Sequence, residues 1–197
     1  MFNNTFNTLY FWFETGCQHI FNLSAWDHIS MVLLMVISTQ GIKNVLIQIS
    51  AFTIGHGISL LLLTLPQWHV ASQIVELAIT SSVLIYSGLI FKSFHLKHLQ
   101  PMRYFSLIIF GMLHGLGFIK QTELFFAQES FWPILIGFNF GIECAQLGIA
   151  LIVFVFYLFL SLICSPLILK QTQKTMLLCI TAIALYFTVV QFFSVFL

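Results

Sequence analysis

The chain has 197 residues, of which 59% are hydrophobic and only 7% charged, at a mean hydropathy of +1.01; that leaves too little polar surface for a water-soluble globule. Its 7 Lys and Arg against 6 Asp and Glu give a net charge of +1, without the basic stripe that a nucleic-acid partner requires. At roughly 20 residues per membrane-spanning helix the expected architecture is an all-α, polytopic membrane helix bundle of about six spans, with residues 1–197 forming one transmembrane domain and membrane lipid as its solvent.

The first residues, Met1 to Thr5, lack a basic n-region and a small-residue cleavage site, so no removable signal peptide is expected and the first helix acts as the insertion signal. Phe2, Phe6, Tyr10 and Phe13 recur at helical spacing with Trp12 alongside. That pattern suits an aromatic segment lying at the membrane interface, or equally one packed on the core. Apolar runs then predict spans at 25–40, 44–64, 72–91, 103–119, 133–161 and 176–196. The connections are short. Lys43, then Lys92, Lys97 and Arg103, then Lys170 and Lys174 fall on one side, and Lys120 alone on the other. Basic residues favour the cytoplasm, so both termini are expected outside a bacterial inner membrane. Cysteines 17, 144, 164 and 179 form no CxxC pair, and they read as buried packing residues, with Cys17 the one close enough in sequence to His19 to suggest a ligand.

Depths follow from that orientation at a rise of about 1.5 Å per residue from the outer end of each helix. Asp27 and His28 fall roughly 3–5 Å deep, Glu76 about 6 Å, His114 about 8 Å, His56 about 12 Å and Glu143 about 16 Å. Ionisable groups from five helices thus occupy the outer half of the membrane, where each charge costs at least ~2.5–3.5 kcal/mol if left alone. A divalent cation explains them together, because imidazole nitrogens and carboxylate oxygens are the ligands of Ni, Zn, Co and Fe. The competing explanation is a hydrogen-bonded network that ties helices to one another.

Helical spacing places Asn139, Glu143 and Gln146 on one face of the fifth span, and Gly137, Gly141, Ala145 and Gly148 on roughly the opposite one. The small face suits close helix contact and leaves the polar face for a cavity. Gln73, Glu76 and Thr80 share a face of the third span, and Thr53, His56 and Ser59 a face of the second. Gly111 and Gly115 flank His114 and admit a neighbouring backbone. His19 sits on the outer side and suits the mouth of an access path, or an interfacial histidine without a ligand. His69, His95 and His98 read as solvated loop residues.

Four blocks resemble the HupE/UreJ membrane proteins of hydrogenase and urease gene clusters. Gly16-Cys17-Gln18-His19-Ile20 leading to Trp26-Asp27-His28 is similar to the first signature of that family. Phe52 to Leu60 (FTIGHGISL), Phe110 to Phe118 (FGMLHGLGF) and Phe138 to Gln146 (FNFGIECAQ) resemble the later ones, with Val75-Glu76 in the third-span pattern. Ala25, Gly57 and Ala145 depart from the usual residues without removing a candidate ligand. The resemblance implies a permease or metal-binding accessory protein for nickel or another divalent metal. It carries over His19, Asp27, His28, His56, Glu76, His114, Asn139 and Glu143 as the polar set, and implies a second copy of the chain or a metalloenzyme maturation protein as partner.

Two further classes use the same residues. An intramembrane metallohydrolase holds zinc on three protein ligands, with a carboxylate such as Glu143 handling a proton of the bound water. A haem protein needs two histidines at matched depth on facing helices. The inner half reads as almost wholly apolar, with Ser38, Ser50, Ser87 and Ser161 among its few polar residues, which fits a fixed metal better than a through-path.

Overall fold

The computed structural model describes residues 2–22, 25–39, 41–62, 71–93, 100–118 and 131–196. They form seven helices: α1 Phe2–Phe21, α2 Trp26–Ile37, α3 Ile42–Leu62, α4 Ser72–Ser93, α5 Gln100–Leu116, α6 Phe131–Ile163 and α7 Pro166–Phe196. In chain order α2 to α7 overlap the six expected spans. The loop histidines His69, His95 and His98, with Lys97 and Lys120, lie outside the described residues.

Among the described residues, four helices are long and apolar enough to cross a membrane: Ile42–Leu62, Ser72–Lys92, Phe131–Ile163 and Pro166–Phe196. The expected first span is different. On its own α2 has 12 residues, about 18 Å of helix against a hydrocarbon core of roughly 30 Å. Thr5–Phe21 and Trp26–Ile37 together pass as a span bent by 80°, so the aromatic segment and the expected first span form one broken element. The connection expected between the spans 133–161 and 176–196 is also corrected, because α7 starts at Pro166. Proline suits a first helical position, and no breaker follows it in that polar stretch. At the tight turn into α3, Gly41 has a φ of 101°, a conformation that only glycine adopts freely.

Glycines decide which helices touch. A Cβ at Gly137 would lie 2.6 Å from the Leu9 carbonyl oxygen, and one at Gly141 would lie 2.1 Å from that of Phe13. The backbones of α1 and α6 therefore meet side by side, running in the same direction, and Trp12 and Ile20 are buried between them. Of the other aromatic residues, Phe6 and Tyr10 face outward. The small face of α6 does what its sequence suggests at these two positions, whereas Gly148 faces open space.

A second seam joins α3 to α5, where a Cβ at Gly55 or at Gly111 would fall 2.0 Å from the carbonyl oxygen of Ile108 or Phe52. Two apolar clusters flank these seams. One gathers Met31, Leu34, Phe52, Val83, Tyr86, Leu107 and Ile180 across α2 to α5 and α7, and the other gathers Trp12, Ile20, Leu60, Phe118, Phe138 and Ile142. The outward faces of α6 and α7 carry exposed Ile152, Leu162, Leu167 and Phe196, as lipid requires.

Candidate metal centre

Five of the expected residues converge between the two clusters. Ligand atoms of His19, His28 and His56 all lie within 4.8 Å of one another, and so do those of Asp27, His28 and His114, so His28 belongs to both groups. Four helices supply them: α1 its last turn, α2 its first, α3 its fourth and α5 its last.

The break between α1 and α2 is what brings Asp27 and His28 to the level of His56. A count from helix ends had separated those residues by several ångströms of depth, because it treated α2 as an uninterrupted span entering at the surface. The α3/α5 seam aligns the other pair: a Cβ at Gly115 would lie 2.8 Å from the His56 carbonyl oxygen, and one at Gly111 would lie 3.1 Å from the His56 nitrogen. His56 and His114 are thereby held on touching backbones.

Hydrogen bonds fix two of the rings. His114 Nδ1 lies 2.8 Å from the Phe110 carbonyl oxygen, and a carbonyl only accepts, so Nδ1 carries the proton and Nε2 presents its lone pair inward. His28 Nδ1 lies 3.1 Å from Asp27 Oδ1, which likewise leaves Nε2 free to ligate. A carboxylate orienting a ligating histidine is a recurrent feature of metal centres. Asp27 Oδ2 also lies 3.8 Å from His114 Nε2, so the acid can serve as a ligand or as an orienting group.

The remaining nitrogens are where a metal centre and a closed network differ. His19 Nε2, His28 Nε2 and His114 Nε2 are buried without a hydrogen-bond partner among the described residues, and the buried His56 ring has Asn139 beside it. A closed network would have paired them, since each unsatisfied buried polar atom costs ~1–3 kcal/mol. A divalent ion would satisfy several lone pairs at once and balance Asp27.

Aromatic rings form the walls. Phe138 lies 5.7 Å from His19 and 5.8 Å from His56 between ring centroids, and Phe52 lies 4.9 Å from His114. Edge-on contacts of His28 with His19 at 4.8 Å and with His114 at 4.9 Å leave no slot for a macrocycle between those rings.

The other three expected residues are not in this cluster. Glu76 lies on the exposed side of α4, because Val75, Ile79, Val83 and Tyr86 take the buried stripe one position earlier. Glu143 accepts a hydrogen bond from Ser50 Oγ at 2.6 Å and lines an open-sided groove between α3 and α6. Asn139 lines the same groove and adjoins Gly57 and the His56 ring. Cys17 donates to the Gly141 carbonyl at 3.3 Å and belongs to the α1/α6 contact.

One polar group escaped sequence reasoning. Arg103, read there as a loop cation, is buried in α5 and donates to the Ser38 carbonyl at 3.3 Å. Tyr86 donates its hydroxyl to Gln48 Oε1 close by. The half of the bundle expected to be apolar thus holds a buried guanidinium with an amide and a phenol. Its signal was the spacing of Arg103, Leu107, Phe110 and His114, which puts all four on the inward face of one helix.

The sequence profile described as HupE / UreJ protein matches residues 2–195, while no curated protein and no solved structure matches the chain. The match takes in every residue of the histidine–aspartate cluster and the helices that assemble it, and the chain belongs to the HupE/UreJ family of multi-pass membrane proteins.

Proposed function

We propose that this protein binds a divalent ion of the nickel class, with zinc, cobalt and iron as chemical neighbours, and handles it as cargo in the manner of a permease or metal-delivery accessory protein of the bacterial inner membrane. The observation that carries this reading is the set of four histidines, grouped in two triads that share His28, whose buried nitrogens gather beside one carboxylate. Nitrogen-rich ligation selects this part of the periodic table over magnesium or calcium, which take oxygen. His19, His28, His56 and His114 supply the nitrogens, and Asp27 supplies charge and orientation.

Elemental analysis tests it on protein purified without chelator. Near-stoichiometric metal in the wild type, lost in His28→Ala and in His114→Ala, is the expected result. An equal trace content in all three refutes metal binding. Uptake into proteoliposomes then separates transport from retention.

A second reading has an observation of its own. Between the cluster and the other end of the bundle lie Met31, Leu34 and Phe52, and beyond them the buried Arg103 guanidinium, which repels a cation moving inward along that line. That arrangement favours an ion that stays bound, as a metallohydrolase or fixed-metal subunit requires. Retained metal without uptake supports it.

A further inference from the structure

The α6 face that carries Asn139 and Glu143 lies outside the histidine–aspartate cluster and lines a groove of its own. The groove beside it has a volume of about 490 Å³ and is lined by Ser50, Thr53 and Gly57 of α3 and by Asn139 and Glu143 of α6, with aliphatic rims. Its rim residues Ile54, Ile58 and Ile136 are exposed, so the polar floor sits inside a lipid-facing wall.

The orientations on that floor are informative. Asn139 Nδ2 donates to the Leu135 carbonyl at 2.8 Å, which turns Oδ1 the other way. That oxygen is buried, 3.4 Å from where a Cβ on Gly57 would be, and faces the His56 ring. One turn along the same face, the Glu143 carboxylate accepts a hydrogen bond from Ser50, the one such donor among the described residues. No basic side chain pairs with Glu143 among the described residues. Thr53 Oγ1 is 3.3 Å from Gln146 Oε1 and 3.1 Å from the Ile49 carbonyl, so its proton points away and its lone pairs are available.

We propose that this floor is a second cation site, in which Glu143, Asn139, Ser50 and Thr53 bind a monovalent cation of the sodium class. All the donors are oxygen, which suits a hard cation and not the nitrogen-preferring ion of the histidine cluster. The floor carries a single formal charge, which one monovalent ion neutralises in a lipid-facing groove, whereas a divalent ion leaves an excess positive charge there. Hard divalent ions also draw on several carboxylates or on substrate phosphates, and neither is present. Asn139 borders both this groove and the His56 ring, so one side chain links the two sites. The proposal goes beyond the reading of the histidine cluster and stands or falls separately from it.

The test uses the full chain in lipid nanodiscs, with thermal unfolding followed in sodium, lithium, potassium or N-methylglucamine chloride at equal ionic strength. A saturable rise in midpoint with sodium over N-methylglucamine is expected in the wild type. Glu143→Gln should weaken the apparent sodium affinity at least tenfold while keeping the divalent metal content of the wild type. Ser50→Ala, which leaves charge and backbone alone, should weaken it severalfold and guards against misfolding of the first variant. His114→Ala should lose the divalent ion and keep the sodium response, so the two sites are read independently. Identical midpoints in sodium and N-methylglucamine overturn the proposal. So does a sodium response undiminished in Glu143→Gln, or stabilisation that follows pH alone, which would mean that Glu143 is simply protonated.

Discussion

Replacing Gly111 by alanine tests the assembly of the proposed metal centre without touching a proposed ligand. The added Cβ would lie 2.0 Å from the Phe52 carbonyl oxygen, with ordinary contact beginning at 3.4 Å, so α3 and α5 must part by about 1.4 Å locally, since a backbone oxygen in a packed interior cannot rotate away. His56 rides on α3 one turn from that contact and His114 on α5 three residues beyond it. Ligand distances at a metal centre tolerate only about ±0.2 Å. The displacement exceeds that tolerance severalfold, and affinity should fall by roughly tenfold or more, the scale of supporting-residue losses at metal sites. Overpacking should also cost about 1–3 kcal/mol of stability. Gly148→Ala is the matched control, because a Cβ there meets nothing within 4 Å. Competition against a chromophoric chelator measures affinity in both variants, and circular dichroism reports helicity. A Gly111→Ala protein that binds the divalent ion within about twofold of the Gly148→Ala protein would refute the seam as the device that aligns the two histidines.

Three further outcomes follow from the same geometry. Glu76→Gln should retain the divalent ion of the wild type, since Glu76 lies on the exposed side of α4, whereas His114→Ala should abolish retention; elemental analysis of both checks this, and loss in Glu76→Gln would return that acid to the ligand set. Asp27→Asn preserves size but removes the charge beside His28 Nδ1, and chelator competition should show affinity reduced by roughly 10–100-fold, not abolished. Arg103→Met should lower the thermal midpoint, because the Ser38 carbonyl loses a donor at about 1–3 kcal/mol for an unsatisfied buried group, with divalent ion content unchanged; an unaltered midpoint would show that the guanidinium is not structural.

The composition and apolar periodicity alone determined the membrane class, the all-helical architecture and the approximate position of each span, because a lipid solvent permits few other solutions. The identity of the polar residues was equally legible: charges and imidazoles inside apolar runs stand out at once. Their partition was not. His19, Asp27, His28, His56 and His114 form one cluster, Asn139 and Glu143 another, and Glu76 neither. Depth along a helix is readable by counting, but azimuth depends on which neighbour each helix meets, and here glycines at 55, 111, 137 and 141 set those contacts. The broken α1–α2 element and the burial of Arg103 were likewise decided by tertiary structure. Only when four helices close around the break do the histidines gather into two groups that share His28.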